Sequence, residues 1–403
     1  MKLSIKIKLS VTMVLQFMAI GAVIPVLSLY LKDYLHFNSF QRGIIIAMSS
    51  IASFVSPVVT SFIADKIISA EKLFTICQFI GAAAMGFLAF QNNFFGVLFL
   101  YLFYSLIIGP TFALVNAIIF HSSSNEESKN FGFLRVWGTI GWIIVAWGFY
   151  FWLDRYPERI QDTLIFSCIT TFILGFFSLT FPKTRARIKS ERFIPIESIK
   201  VITKPEIVFL LLFGFLINLV ERYFYYGAAP FLKSIGFANK YLMPVLSLGQ
   251  ISEILAMLIT GFLIKKFGYR IIMIFGLIME LLKLTALFVG YPVIFVFTGL
   301  FVHGFAYAFY FVPSIILLDS FCSKAARTGV HQLSTVFTMG FGNLAGNLIA
   351  GAVMGYATVG SVVDYQKFWL VPIIITAVSF IIPIFFIKQK DKDKINIQKL
   401  EPW

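Results

Sequence analysis

Arg135, Thr139 and Trp142 stand at i, i+4 and i+7 in "RVWGTIGW", so on a helix they share one face. A guanidinium brings five donors in a planar fork, suited to a carboxylate, a phosphate or a ring of acceptors. The neighbouring Trp adds a flat surface for an aromatic or sugar ligand. The competing reading is an arginine that snorkels to a membrane interface, because it lies only a few residues inside its apolar run. In "LGQISEIL", Gln250 and Glu253 are at i, i+3 and again share a face. Entering that run near Tyr241, Glu253 lies ~18 Å along by helix rise, past the midplane of a bilayer. A carboxyl there can take and release a proton near neutral pH; the competing reading is a structural ion pair, with Arg135 as partner.

Further ionisable groups sit inside apolar runs, and each is a functional hypothesis because burial in lipid is costly. In "LVERYFYYGAAP", Glu221 and Arg222 precede Tyr223, Tyr225 and Tyr226. Adjacent helical residues point about 100° apart, so the two charges face different surroundings. Gly227 and Pro230 are expected to loosen or break that helix. Glu280 and Lys283, at i, i+3, read as a local pair that lowers the cost of burial. Tyr307 and Tyr310 in "HGFAYAFYF" make an aromatic stripe whose spacing favours packing. Gln16, Asn116, Asn343 and Asn347 are polar residues that either line a cavity or tie helices together by hydrogen bonds.

Enzyme chemistry finds no support. There is no P-loop and no G-x-S-x-G; His36, His121, His303 and His331 are far apart, and His121 with Glu126 lacks a further partner. Cys77, Cys168 and Cys322 are odd in number, fit no metal spacing and read as packing residues. No cofactor is expected.

The elements that must carry these residues are membrane helices. The 403-residue chain is 59% hydrophobic, contains 48 Phe and is only 13% charged, well below the charge of a soluble protein. Twelve apolar runs are expected to span the membrane, near 10–31, 41–63, 72–90, 94–118, 131–153, 162–181, 206–229, 241–264, 271–289, 292–318, 328–355 and 367–387. The first is too long for a signal-peptide core and reads as a retained span. The polar interval 182–205 separates an N-terminal six-helix bundle, 1–181, from a C-terminal one with a short tail, 206–403.

Most of the 33 Lys and Arg fall on one side if the N-terminus is inside; Lys32, Arg42, Arg155, Arg159, Lys233, Lys240 and Lys367 fall on the other. The bias puts both termini and the central linker in the cytoplasm. It also assigns the +14 net charge to topology and anionic lipid. No basic run interleaved with aromatics is present for nucleic acid.

Six plus six spans, a long basic linker, and a short loop repeated after the second and eighth spans ("SFIADKIISAEK", "GFLIKKFGYR") resemble the major facilitator superfamily over nearly the whole chain. "RVWGTIGW", "QISE", "PTFALVNAIIF", "HGFAYAFYF" and Gln16 in "LQFMAIG" together resemble the bacterial nucleoside:proton symporters. The resemblance implies a nucleoside site containing Arg135, Thr139, Trp142, Gln250 and Glu253, with Glu253 also coupling the proton. Gln16, Asn116, Arg222, Tyr225 and Tyr307 complete the expected substrate-binding set. It implies an inner-membrane importer, monomeric, with nucleoside, protons and lipid as its partners. Access would alternate by rocking of one bundle against the other around a midplane site.

Two departures carry an alternative. Arg222 and Tyr225 stand where the family offers Gln and Asn, and Ala308 follows Tyr307 where an acid is common. A more positive pocket suits an aromatic acid, a sugar or another small anion. A channel, or a polytopic membrane enzyme, is the remaining alternative class.

Overall fold

A computed structural model of the chain describes residues 3–59, 67–122, 127–182, 196–323 and 326–387. Asp65, Lys66, Glu126, most of the basic interval (183–195) and the tail from 388 lie outside the described residues. Where chain crosses lipid, every backbone N–H and C=O must be satisfied within its own segment, so the apolar runs become helices. In order these are α1 (Leu3–Val23), α2 (Leu27–Asp33), α3 (Ser39–Val59), α4 (Ala70–Ala89), α5 (Phe94–Ser122), α6 (Glu127–Arg155), α7 (Asp162–Ser178) and α8 (Ile196–Ile202). They continue as α9 (Pro205–Ser234), α10 (Asn239–Leu246), α11 (Leu248–Phe267), α12 (Tyr269–Val289), α13 (Val293–Asp319), α14 (Arg327–Thr335), α15 (Gly342–Tyr356) and α16 (Tyr365–Ser379).

Among the described residues each of the twelve expected spans overlaps helix, and ten stretches are long and apolar enough to cross a membrane. Several details differ from expectation. The first run is not one helix: it turns at Ile24, Pro25 and Val26 before α2 resumes, because proline cannot donate to the preceding turn. The eighth run breaks at Ser247, between α10, which contains Pro244, and α11. By contrast α9 runs unbroken through Pro230; neighbouring groups in a packed membrane helix re-satisfy the carbonyl that a proline frees. The eleventh run carries a wide turn, a π-helical segment at Val336–Phe341, between α14 and α15. A second such segment, Ile382–Phe386, follows α16. A two-residue antiparallel pairing, Thr358–Val359 with Val362–Val363, links α15 to α16.

The chain forms two compact units. The first comprises residues 1–193 with 225–244. Within it α1 packs on α6 and α7, α4 on α5 and α7, and α3 on α5. The core includes Leu9, Met13, Phe74, Leu114, Ile118 and Leu134. Residues 225–244 are fastened to the rest of this unit by polar contacts. The Tyr226 hydroxyl donates to the Ser39 carbonyl (2.6 Å), Lys233 pairs with Asp33 (2.6 Å), and Lys240 pairs with Asp154 (2.7 Å).

Arg42, near the start of α3, is only 3% exposed. Its guanidinium donates to Ser28 and Ser39 and lies 5.3 Å from the Tyr226 ring centre.

The second unit comprises residues 194–224 and 245–402. Here α13 is the centre, packed on α11 and α12, while α16 covers α12. The α13 backbone comes close on both flanks. Gly304 lies against the α11 backbone at Gly249 and Glu253, and Gly299 lies against Ala286 and the Lys283 carbonyl of α12.

Outward faces are apolar, as in Phe95, Phe99 and Phe103 of α5, all exposed and at i, i+4, i+8. Lipid is the solvent that makes such a surface stable. Asp364 starts α16 by accepting from the Lys367 amide (3.1 Å), and that bond holds its carboxyl below the usual 3.8. A depressed value means that the cap contributes above about pH 3.8 and is lost as pH falls through the lower folded value. Asp364→Ala is therefore expected to speed hydrogen exchange of the Lys367 amide at neutral pH, and to make little difference in strong acid.

Candidate functional site

In the first unit the residues converge on the α1–α6 contact. The Arg135 guanidinium carbon lies 4.4 Å from the centre of the Phe17 ring on α1. One turn on, Thr139 is buried. Trp142 lies over Gly21, where a Cβ would stand 3.0 Å from the indole, and its ring centre is 6.5 Å from that of Tyr225. The i, i+4, i+7 face thus has one apolar wall, and its arginine rests on an aromatic face, an arrangement worth up to ~2 kcal/mol when desolvated. Gln16, 2% exposed, donates from Nε2 to the Thr111 hydroxyl (3.0 Å) and so ties α1 to α5; its Oε1 has no hydrogen-bond partner among the described residues. Asn116, on α5, is half-buried.

In the second unit Gln250 and Glu253 are buried on α11 beside α13. Tyr307 stacks on Phe311, ring centres 5.3 Å apart, and lines a small cavity with Tyr310, Gly276, Glu221 and Glu280. Glu221 and Arg222 part company. Arg222 lies towards Gly346 of α15, and its buried Nε has no hydrogen-bond partner among the described residues. On α15, neither side-chain polar atom of Asn347 has such a partner, nor does Asn343 Oδ1. Buried polar groups are ordinarily paired; a polar ligand or water reaching these atoms would satisfy them.

Glu221 turns to a group that sequence reasoning did not assemble. Lys283, with no exposed surface, places its ammonium 2.8 Å from Glu280 Oε1, 3.7 Å from Glu221 Oε2 and 3.1 Å from His303 Nδ1. Its Nζ is also 4.3 Å from the Phe224 ring centre. His303 Nε2 lies 3.4 Å from Glu221 Oε1. The pair expected from Glu280 and Lys283 is present, but it is half of a quartet drawn from α9, α12 and α13. His303 was available as a signal, being a titratable residue inside an apolar run. Its partners were not, since they lie on other helices.

The ammonium fills the position a cation would take between the carboxylates. Because an ammonium only donates, His303 Nδ1 must accept from it, so the neutral imidazole carries its hydrogen on Nε2, facing Glu221.

Comparison with known proteins places these features. YegT of Escherichia coli (strain K12) is 28% identical over 407 residues, covering 96% of this chain and 94% of that protein. The nucleoside permease NupG of the same strain is 25% identical over 395 residues, covering 92% of each. The crystal structure of a mutant of the nucleoside transporter NupG superposes with a TM-score of 0.87 at 21% identity, over 95% of this chain and 100% of that one. The fold is thus the helical membrane fold of the major facilitator transporters. The family model described as nucleoside H+ symporter matches residues 1–393, and the chain belongs to that family.

Proposed function

We propose that this protein imports nucleosides together with protons by alternating access. The observation that carries the reading is the family match across nearly the whole chain. It is a transporter and not an enzyme. The proposed substrate contacts are Arg135, Thr139, Trp142, Gln16, Asn116 and Tyr225 in the first unit, and Gln250, Glu253, Arg222 and Tyr307 in the second. Arg135 is proposed as a fork donor to ribose or base acceptors, and Trp142 as the stacking surface for the base. Glu253 is proposed as a proton acceptor. The protein is assigned to the cell's inner membrane as a monomer, with both termini in the cytoplasm and its basic segments on anionic lipid.

Proteoliposomes test this. Labelled uridine should accumulate under an inward proton gradient, with competition by adenosine and none by benzoate or simple sugars. Arg135→Ala should lower uridine binding by about tenfold or more at unchanged expression, the scale of one or two lost charge-assisted hydrogen bonds. Glu253→Gln should bind uridine but fail to concentrate it. Normal gradient-driven accumulation by Glu253→Gln would remove that residue from coupling.

A further inference from the structure

Lys283, Glu280, Glu221 and His303 hold one lysine cation against two carboxylates, with the imidazole between Glu221 and the ammonium. With both acids ionised and His303 neutral, the group carries one surplus negative charge. Three of its four members are buried to 5% exposure or less. An unpaired charge in such surroundings is expensive, and the ordinary remedy is to bind a proton.

Glu280 has the closer claim on the ammonium, at 2.8 Å against 3.7 Å for Glu221. Glu221 is therefore the surplus acid. It is also the most accessible member, its side chain 16% exposed.

We infer that the quartet is a proton-binding site in which Glu221 is the acceptor, distinct from Glu253. The carboxylate takes one proton from water and becomes a neutral carboxylic acid; the quartet goes from one negative charge to none, and the return step gives the proton back to water. His303 holds the Lys283 ammonium on one ring nitrogen and faces Glu221 with the other, so the imidazole positions the acceptor.

The groups facing Glu221 are Lys283 and Glu280 from α12, and His303, Tyr307 and Tyr310 from α13. Its own helix adds Arg222, turned towards α15; α15 supplies Asn343 and Asn347, which do not titrate, and α16 has only Tyr365 and Lys367 at its start. Glu253 belongs to α11, which packs on α13 and brings Gly249 against the His303 ring.

The inference deepens the proton-coupled reading above, and the test separates the two. In infrared difference spectra of the full chain in lipid nanodiscs, recorded between acid and alkaline buffer without substrate, a protonated-carboxyl C=O band should titrate. Its Glu221 component should vanish in Glu221→Gln and persist in Glu253→Gln, which removes only the contribution of Glu253. Should Glu221→Gln not fold, Glu221→Asp, which keeps the charge but withdraws it from His303, should move the midpoint of the same band. A band unchanged in whichever of these variants folds overturns the site. In proteoliposomes, Glu221→Gln should retain uridine counterflow within about twofold, yet lose at least tenfold of its gradient-driven accumulation. Wild-type pH dependence of accumulation in Glu221→Gln also overturns it. Absence of uridine counterflow in the unaltered protein would instead sink the nucleoside reading, while the infrared band still decides the proton site.

Discussion

Lys283→Met is expected to yield little folded protein, with a loss of about 3–5 kcal/mol in stability, the scale of breaking a buried ion pair from one side. Methionine fills much the same volume, so the loss is electrostatic. The lysine ammonium is fully buried, 2.8 Å from one carboxylate and 3.7 Å from a second. Without it two acids of like sign face each other across α9 and α12, and the His303 Nδ1 acceptor loses its donor. Fluorescence-detected gel filtration and a thermal melt in detergent measure the effect. The paired variant Lys283→Met/Glu280→Gln should recover most of the loss, because it removes the closer acid along with its partner. If the single variant melted like the unaltered chain, the ammonium would have to be neutral in the native state, and the charge count of the quartet would be wrong.

Gly304→Ala is the second large effect. A methyl group at this position would meet the Glu253 amide nitrogen, the Gly249 carbonyl oxygen and the Ser252 hydroxyl. Two of the three are backbone atoms and cannot swing away. The Gly304 amide also donates to the Ser252 hydroxyl (3.2 Å), fixing the register of α13 on α11. Forcing the helices apart should cost about 2–3 kcal/mol, the upper part of the range for overpacking, and should displace Glu253 with its helix. The control is Gly148→Ala on α6, where nothing lies within 4 Å of the added carbon; it should be neutral or gain up to ~1 kcal/mol from helix propensity. Equal melting temperatures for the two variants would contradict the contact.

These two sites mark the limit of what the sequence made legible. Long apolar runs identified the ten spanning stretches found among the described residues, because lipid imposes a length on any segment that crosses it. The i, i+4, i+7 face of Arg135, Thr139 and Trp142 was readable because helical spacing is local. The pairing of Glu280 with Lys283 was readable for the same reason. Glu221 and His303 join that pair only through the packing of three helices, which no spacing within one run encodes. The contacts of Arg42 were hidden for a related reason: its Ser28 and Tyr226 neighbours are distant in sequence or beyond a turn. The two prolines, Pro25 and Pro230, sit in similar apolar contexts, yet only the first interrupts its helix. Whether a freed carbonyl finds another partner is a property of the neighbours, not of the proline.

The two close flanks of α13 have a bearing on how a proton can travel. Gly304 seats α13 on one helix and Gly299 seats it on the other beside the Lys283 carbonyl, so backbone packing holds the cation of the quartet in place. Within the quartet the Glu221 side chain is the most open, at 16%, against 7% or less for the other three. A proton bound at that carboxylate is taken up and released by the same pair of oxygens. Its direction of travel is therefore decided by which solution lies beyond those oxygens at the moment of release: return to the side of entry moves nothing, and release to the opposite side without substrate is a leak.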